Sequence, residues 1–372
     1  MTARSREFRV AFARKQNERA VLSLRSSAKG GGQEIVEKTL TQQGWVIHRA
    51  VSQAYQRAGL LDAALDWAEA AIRALGEGTQ DHGLLASLLG HLGNIHMQRG
   101  DTAAARDAAR RGLSVAPQAP SLLRLMSQTL RQEGDLQGAL DWAQQATKAA
   151  PYDIAILNHL GDLQLLAGAF EEAEATAQRG LEIAPTSAPM MRLMTRLRQQ
   201  QNDHVGALEW ARRLAAALPQ DPAVMNQLAH LLLRVGDVEQ AELVVSDALK
   251  MAPGFAPLMR MMSMLQQRKG DMEGALGWAR NAVSAAPADA AIRAHLSAIH
   301  LHRREYEEAR LTAEQGLPLV TMKLPLLLAL SRAAQAMNDL DAAREWARRA
   351  ADAYPQDPGT QRQLQACEAA AA

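Results

Sequence analysis

The sequence predicts an all-α solenoid, a right-handed stack of antiparallel helix pairs, and three observations predict it. A short turn recurs every 34 residues. An alanine follows each turn at a constant distance, and a proline follows most of them. Runs of Val, Ile and Thr that would form strands are missing, and aromatic residues make up only 4% of the chain.

The turn opens at Gly100 and again at Gly134, Gly168, Asn202, Gly236, Gly270, Arg304 and Asn338, always 34 residues on. An earlier copy, Gly59, stands 41 residues before Gly100, so one connection carries seven extra residues. Gly76, Gly78 and Gly83 place them in a longer loop. Five residues after each opener comes an alanine: Ala64, Ala105, Ala139, Ala173, Ala207, Ala241, Ala275, Ala309 and Ala343. A methyl there lets the second helix of a pair approach the first, and a larger side chain would overpack the contact. Pro117, Pro151, Pro185, Pro219, Pro253, Pro287 and Pro355 end one helix and start the next with φ already set. Gly76 and Thr321 take that place in the first and eighth units. Between these marks lie two stretches of helical periodicity per unit.

A helix–turn–helix unit of this period resembles the tetratricopeptide repeat (TPR). Leu92-Gly93 and Leu160-Gly161 in the first helices, the constant alanine, and Ala146, Gly180 or Ala282 seven residues beyond it carry the resemblance. It covers residues 45–357 in nine units, preceded by a basic arm at 1–32 and a helix at 33–44. Residues 358–372 read as a capping helix over the last unit's apolar face. A longer period overlies the first. Trp142, Trp210, Trp278 and Trp346 are 68 residues apart, and Trp67 joins them once the insertion is subtracted. His91, His159 and His295 recur on the alternate units, so the duplicated block is a pair of repeats. The tryptophans are expected to pack between repeats, and repeat symmetry accounts for the histidines without a metal.

Composition excludes several classes. Cys367, the single cysteine, rules out a disulfide framework or a cysteine-based zinc site within the chain. No apolar run approaches the roughly 20 residues that span a bilayer, and the reading is a cytosolic protein. Phosphate-binding loops, dinucleotide fingerprints and nucleophile elbows are missing. No catalytic residue, cofactor or metal is expected.

What the resemblance implies about binding concerns the first helices. In the family they line the concave face, and ligands are met from their second, fifth, ninth, twelfth and thirteenth positions, spaced to stay on one helix face. Here those positions hold ten arginines and one acid, Asp162. The candidate ligand-binding residues are Arg49, Gln53, Arg124, Gln128, Arg131, Asn158, Arg192, Arg196, Asn226 and Arg260. The chain has a net charge of +1, yet residues 1–44 carry nine Lys/Arg and four Asp/Glu, which leaves the repeats acidic. A basic face on an acidic array points to an extended anionic ligand held by arginine forks, with the asparagines holding a peptide backbone or sugar hydroxyls.

The expected function is therefore a non-enzymatic scaffold that holds an acidic segment of a partner protein. The alternative is an accessory to the synthesis or export of an anionic polysaccharide. Nucleic acid is not expected, because the face offers no aromatic stacking platform. In the arm, Phe8 and Phe12 stand among Arg4, Arg6, Arg9, Arg14, Lys15 and Arg19. Such a segment fits peripheral contact with an anionic membrane or a partner.

Overall fold

The computed structural model describes residues 32–76 and 79–370, so the basic arm and its phenylalanines lie outside the described residues. Two compact units divide the chain, the first ending at Leu193 and the second beginning at Met194. The first unit is built from α1 (Gly32–Arg57), α2 (Leu61–Leu75), α3 (His82–Arg99), α4 (Thr102–Val115), α5 (Pro120–Gln132), α6 (Leu136–Ala149), α7 (Ile154–Leu166) and α8 (Phe170–Ile183). The boundary falls within α9 (Ala188–Gln200). The second unit continues with α10 (His204–Ala217), α11 (Pro222–Val235), α12 (Val238–Met251), α13 (Ala256–Lys269), α14 (Met272–Ala285), α15 (Ala290–His302), α16 (Tyr306–Gly316), α17 (Leu324–Ala336), α18 (Leu340–Ala353) and α19 (Pro358–Ala369). No strand occurs among the described residues.

Two or three residues join the helices of each pair, so neighbours reverse direction and pack antiparallel. In this turn Gly100, Gly134, Gly236 and Gly270 hold positive φ, and Asn202, Arg304 and Asn338 hold it without the help of a missing Cβ. The aspartate after the opener caps the second helix. Asp101, Asp135, Asp203, Asp237, Asp271 and Asp339 each accept the backbone N–H three residues on. The nine constant alanines are all fully buried, as a close helix approach requires.

First helices also touch the next first helix, as α3 touches α5 and α5 touches α7 in one unit, and α13 touches α15 and α15 touches α17 in the other. The second helices are held by their chain neighbours. Space at the first-helix contacts is tight. A Cβ on Gly93 would stand 2.3 Å from a methyl of Leu125, and one on Gly161 would stand 2.2 Å from a methyl of Leu193. Trp67, Trp142 and Trp346 pack against buried clusters, Trp142 against one made of Leu123, Ala146 and Ile156, which joins two successive repeats.

One local reading of the sequence is altered. The seven extra residues do not form one long loop. α3 has 18 residues where α5 has 13, and the connection before it, 76–81, is only two residues longer than the usual four. Gly83 lies inside α3, where Asp81 caps the first turn through the Leu84 N–H. The segment before the first repeat is continuous with it, since α1 runs unbroken from Gly32 to Arg57.

Candidate functional site

The candidate binding residues sit on first helices: Arg49 and Gln53 on α1; Arg124, Gln128 and Arg131 on α5; Asn158 on α7; Arg192 and Arg196 on α9; Asn226 on α11; Arg260 on α13. Four of them come together. Arg124, Gln128, Arg131 and Asn158 line an open cavity of about 490 Å³ with Ile154, Ala155, His159, Asp162 and Pro189. Helical spacing explains the α5 contribution, because residues 124, 128 and 131 follow steps of four and three along one face. Residues 155, 158 and 162 do the same on α7. Asn158 Nδ2 donates to Asp162 Oδ2 at 3.2 Å. Gln53, Arg49, Arg192, Arg196, Asn226 and Arg260 do not line this cavity.

Among the described residues, Arg49, Arg124 and Arg131 make no ion pair. Several arginines elsewhere do: Arg99 with Asp62 at 3.1 Å, Arg106 with Glu133, and Arg303 with Glu273 at 2.7 Å and Glu305 at 2.8 Å. In the second unit Arg260 and Arg268 are likewise without an ion pair, while Arg234 meets the His204 ring at 3.2 Å.

Beneath the arginines runs a row of hydrogen bonds. Ser127 Oγ donates to the carbonyl of the constant Ala139 at 2.6 Å and meets His159 Nε2 at 2.7 Å. Ser52 joins Ala64 and His91 in the same way, and Ser263 joins Ala275 and His295. The serine has one proton and gives it to the carbonyl, so the histidine must donate its Nε2–H to the serine oxygen. That fixes the tautomer and leaves Nδ1 as an acceptor. Burial, then Arg131 and Arg124, hold the His159 pKa down at about 4. Burial, Arg260 and His302 do the same for His295, also at about 4. Burial and Arg49 lower His91. These rings are neutral at pH 7 and serve packing between repeats.

Reading the sequence found the histidines but missed their serines. The signal was available: Ser52, Ser127, Ser263, Ser297 and Ser331 each stand 12 residues before a constant alanine, and all five donate to its carbonyl. At the C-terminal junction Gln363 of α19 takes the histidine's place and donates to Ser331 at 3.1 Å. The last helix therefore docks as the first helix of one more repeat would, with Cys367 buried behind it. No group of three or more His, Cys, Asp or Glu with metal-holding geometry occurs among the described residues. No described helix is long and apolar enough to cross a membrane.

Comparison with known proteins agrees with this architecture. One tetratricopeptide repeat model matches residues 92–154 and 226–290, and a second matches 130–197. No curated protein matches the chain. Of the solved structures, a tetratricopeptide repeat protein from Parabacteroides merdae is 18% identical, with a TM-score of 0.51 over 69% of this chain and 99% of its own. Pseudomonas aeruginosa pilF is 20% identical, with a TM-score of 0.43 over 57% of this chain and 96% of its own. YrrB, described as a TPR protein with an unusual peptide-binding site, is 14% identical, with a TM-score of 0.40 over 54% and 99%. Such likenesses speak to fold alone. With its period, its constant alanines and the two repeat models in agreement, the chain is a tetratricopeptide-repeat protein.

Proposed function

We propose that the chain is a non-enzymatic scaffold whose first helices hold an extended acidic segment of a partner protein. The repeat class supports protein–protein interaction in general, and the acidic partner rests on one observation. Arg49, Arg124 and Arg131 in the first unit, and Arg260 in the second, stand without an ion pair on first helices, at positions that together hold ten arginines and one acid. A guanidinium fork without a carboxylate of its own is open to one from outside, and two parallel N–H donors fix its orientation. Gln128 and Asn158 sit between these charges with amide donors and acceptors suited to a peptide backbone.

The test is binding of the full chain to polyglutamate, followed by calorimetry. Replacing Arg49, Arg124 and Arg260 together with Gln should leave helical content unchanged and weaken binding strongly. Removing the same charge from exposed second-helix positions, with Arg212, Arg280 and Arg348 changed to Gln, should weaken it much less. Wild-type binding should also fall steeply above physiological salt, where screening shortens below about 8 Å. Equal losses from both triplets would reduce the effect to net charge and remove the first helices as a site.

A further inference from the structure

The first helices of the second unit differ in chemistry from those of the first. None of α11, α13, α15 and α17 contains an Asp or Glu, and α13, α15 and α17 touch in succession. Four periods after the cavity residues Gln128, Asn158 and Asp162 stand Met264, Ala294 and Ala298, at the same places on α13 and α15. Three polar groups of the first unit's lining are thus replaced by apolar ones. Met264, Ala294 and Ala298 are half-buried, as is Leu328 on α17, so each keeps surface that no neighbour covers. Arg260 stands one turn before Met264 and Arg332 one turn after Leu328, which brackets the apolar stretch with two cations. Neither arginine makes an ion pair among the described residues. Arg260 acts on His230 of α11 and His295 of α15. Burial first, and then that guanidinium, lower both imidazole pKa values, so the rings are neutral at pH 7 and bring no countercharge.

We propose that the face formed by α13, α15 and α17 binds a partner segment of acid–apolar–acid pattern. Arg260 and Arg332 each take a carboxylate, and Met264, Ala294, Ala298 and Leu328 take the apolar side chains between them. The proposal rests on the reading that the first helices hold an acidic segment, and it assigns the part of that segment that crosses the second unit. First helices packed at about 9 Å per interval put α13 and α17 roughly 18 Å apart. An extended chain covers that span in about six residues, which sets the spacing of the two acids. The alanines leave room for large side chains, and the unbranched Met264 adapts to their shape. A wholly acidic segment would lay its middle carboxylates on methyl groups that offer no hydrogen bond, at the expense of their hydration. A wholly apolar segment would forgo both arginine forks. Charge therefore decides the ends, and apolar surface decides the middle.

The experiment uses the full chain and three blocked peptides, N-acetylated and C-amidated, with binding measured by calorimetry. The first has two glutamates about six residues apart with leucines between them, on a serine background. In the second, serines replace the leucines. The third keeps the composition of the first but sets both glutamates side by side at one end. The wild type should bind the first at least about fivefold more tightly than the second, the gain from covering part of a leucine. It should prefer the first to the third by about threefold, the worth of one exposed ion pair. Met264→Gln with Ala294→Asn puts the side-chain types of Gln128 and Asn158 on this face, and should erase the preference for the first peptide over the second. Arg332→Gln, at an exposed position, should bring the first and third peptides to equal affinity. Equal binding of the first and second peptides by the wild type overturns the proposal and leaves the acidic-segment reading standing, since both carry the same glutamates. So does a Met264→Gln, Ala294→Asn variant that keeps the full preference, because the leucines then bind elsewhere. Should that variant lose helical content, Arg332→Gln decides, and undiminished discrimination between the first and third peptides overturns the proposal. Arg260→Gln with Arg332→Gln tests the parent reading separately. If that double change leaves the first peptide's affinity intact, the acidic-segment reading fails at this face, and the proposal fails with it.

Discussion

The third and fourth repeats, residues 120–183, and the eighth, residues 290–316, solve the same packing problem with different residues. In the fourth, Arg179 Nη2 on the second helix donates to the Pro151 carbonyl at 2.9 Å, closing off the end of α6. The corresponding carbonyl of Pro287, at the end of α14, is reached instead from the first helix, by Arg293 Nε at 2.6 Å. Arg293 occupies a slot that Leu123 and Leu157 fill in the first unit, and it is only 8% exposed. Gly316 makes room for it, since a Cβ there would stand 2.7 Å from Arg293 Cδ. The turn differs too. Gly134 and Asp135 supply the left-handed residue and the cap of α6, whereas Arg304 holds φ at 63° and Glu305 makes no side-chain cap. Glu305 is engaged by His300 at 2.6 Å and Arg303 at 2.8 Å, which hold its carboxyl below the usual carboxylate range. The comparison teaches that the repeat conserves satisfied backbone groups, and that the side chain supplying the partner is replaceable.

The sharpest way to break the comparison is at the constant alanine, the feature both regions share. Ala139→Leu and Ala309→Leu should each cost about 1–3 kcal/mol by overpacking a site with no free volume. Both alanine carbonyls also accept a serine hydroxyl, from Ser127 and Ser297, so a displaced backbone loses that bond as well. Urea unfolding followed by circular dichroism measures the loss. Unchanged midpoints in both variants would contradict the assigned helix-pair register.

Acid acts on both regions through a buried histidine, His159 in one and His295 in the other, each held at about 4. His159 is neutral in the folded chain with its pKa held at about 4, against an ordinary value of 6.5. A histidine whose folded pKa is depressed contributes stability that is fully present above 6.5 and lost as pH falls toward 4, because the unfolded chain takes up the proton first. The first unit should therefore weaken between pH 6.5 and 4. His159→Gln should flatten that slope while keeping a side-chain donor, as Gln363 does against Ser331 at the last junction. Chemical denaturation at a series of pH values gives the slope, and identical slopes in the two proteins would refute the assignment.

Ser127→Ala is expected to cost about 1–2 kcal/mol, since it strips a donor from the Ala139 carbonyl and an acceptor from the His159 Nε2–H, both buried. Ser297→Ala in the eighth repeat removes only the bond to Ala309, and no histidine is joined to that serine. It should cost less. Equal losses at the two sites would show that the histidine adds nothing to the bond.

Much of this was legible because it is local. Openers such as Gly134, caps such as Asp135 and alanines such as Ala139 recur at fixed offsets, and each acts within a few residues of itself. Ser127 and His159 were less legible because the bond between them joins separate helices, and nothing near either residue announces the other. The insertion before the second repeat was misread for a similar reason. Glycines at 76, 78 and 83 look like loop, but Asp81 caps a helix start that carries Gly83 into α3. Of the ten candidate binding residues, those on α5 and α7 meet around one cavity because steps of three and four keep side chains on one face. That Asp162 would stand among them, tied to Asn158, follows from the same spacing. That His159 would be neutral beside them required its serine.

The smallest expected effect concerns the turn of the eighth repeat. Arg304 is exposed and sits in the left-handed region at φ 63°, where an L side chain brings its Cβ close to the backbone. Its counterpart in the third repeat is Gly134, at φ 87°. Arg304 makes no ion pair among the described residues, in contrast to its neighbour Arg303. Arg304→Gly should therefore relieve the steric cost without removing a partner. The greater freedom of glycine in the unfolded chain opposes this, and the net gain should be about 0.5–1 kcal/mol. The reciprocal change, Gly134→Arg, should lose about as much. Differential unfolding of the two variants reads both signs in one experiment. A destabilised Arg304→Gly would mean that the arginine side chain makes a contribution larger than its backbone strain, and the eighth repeat would then be adapted at its turn as well as at its core.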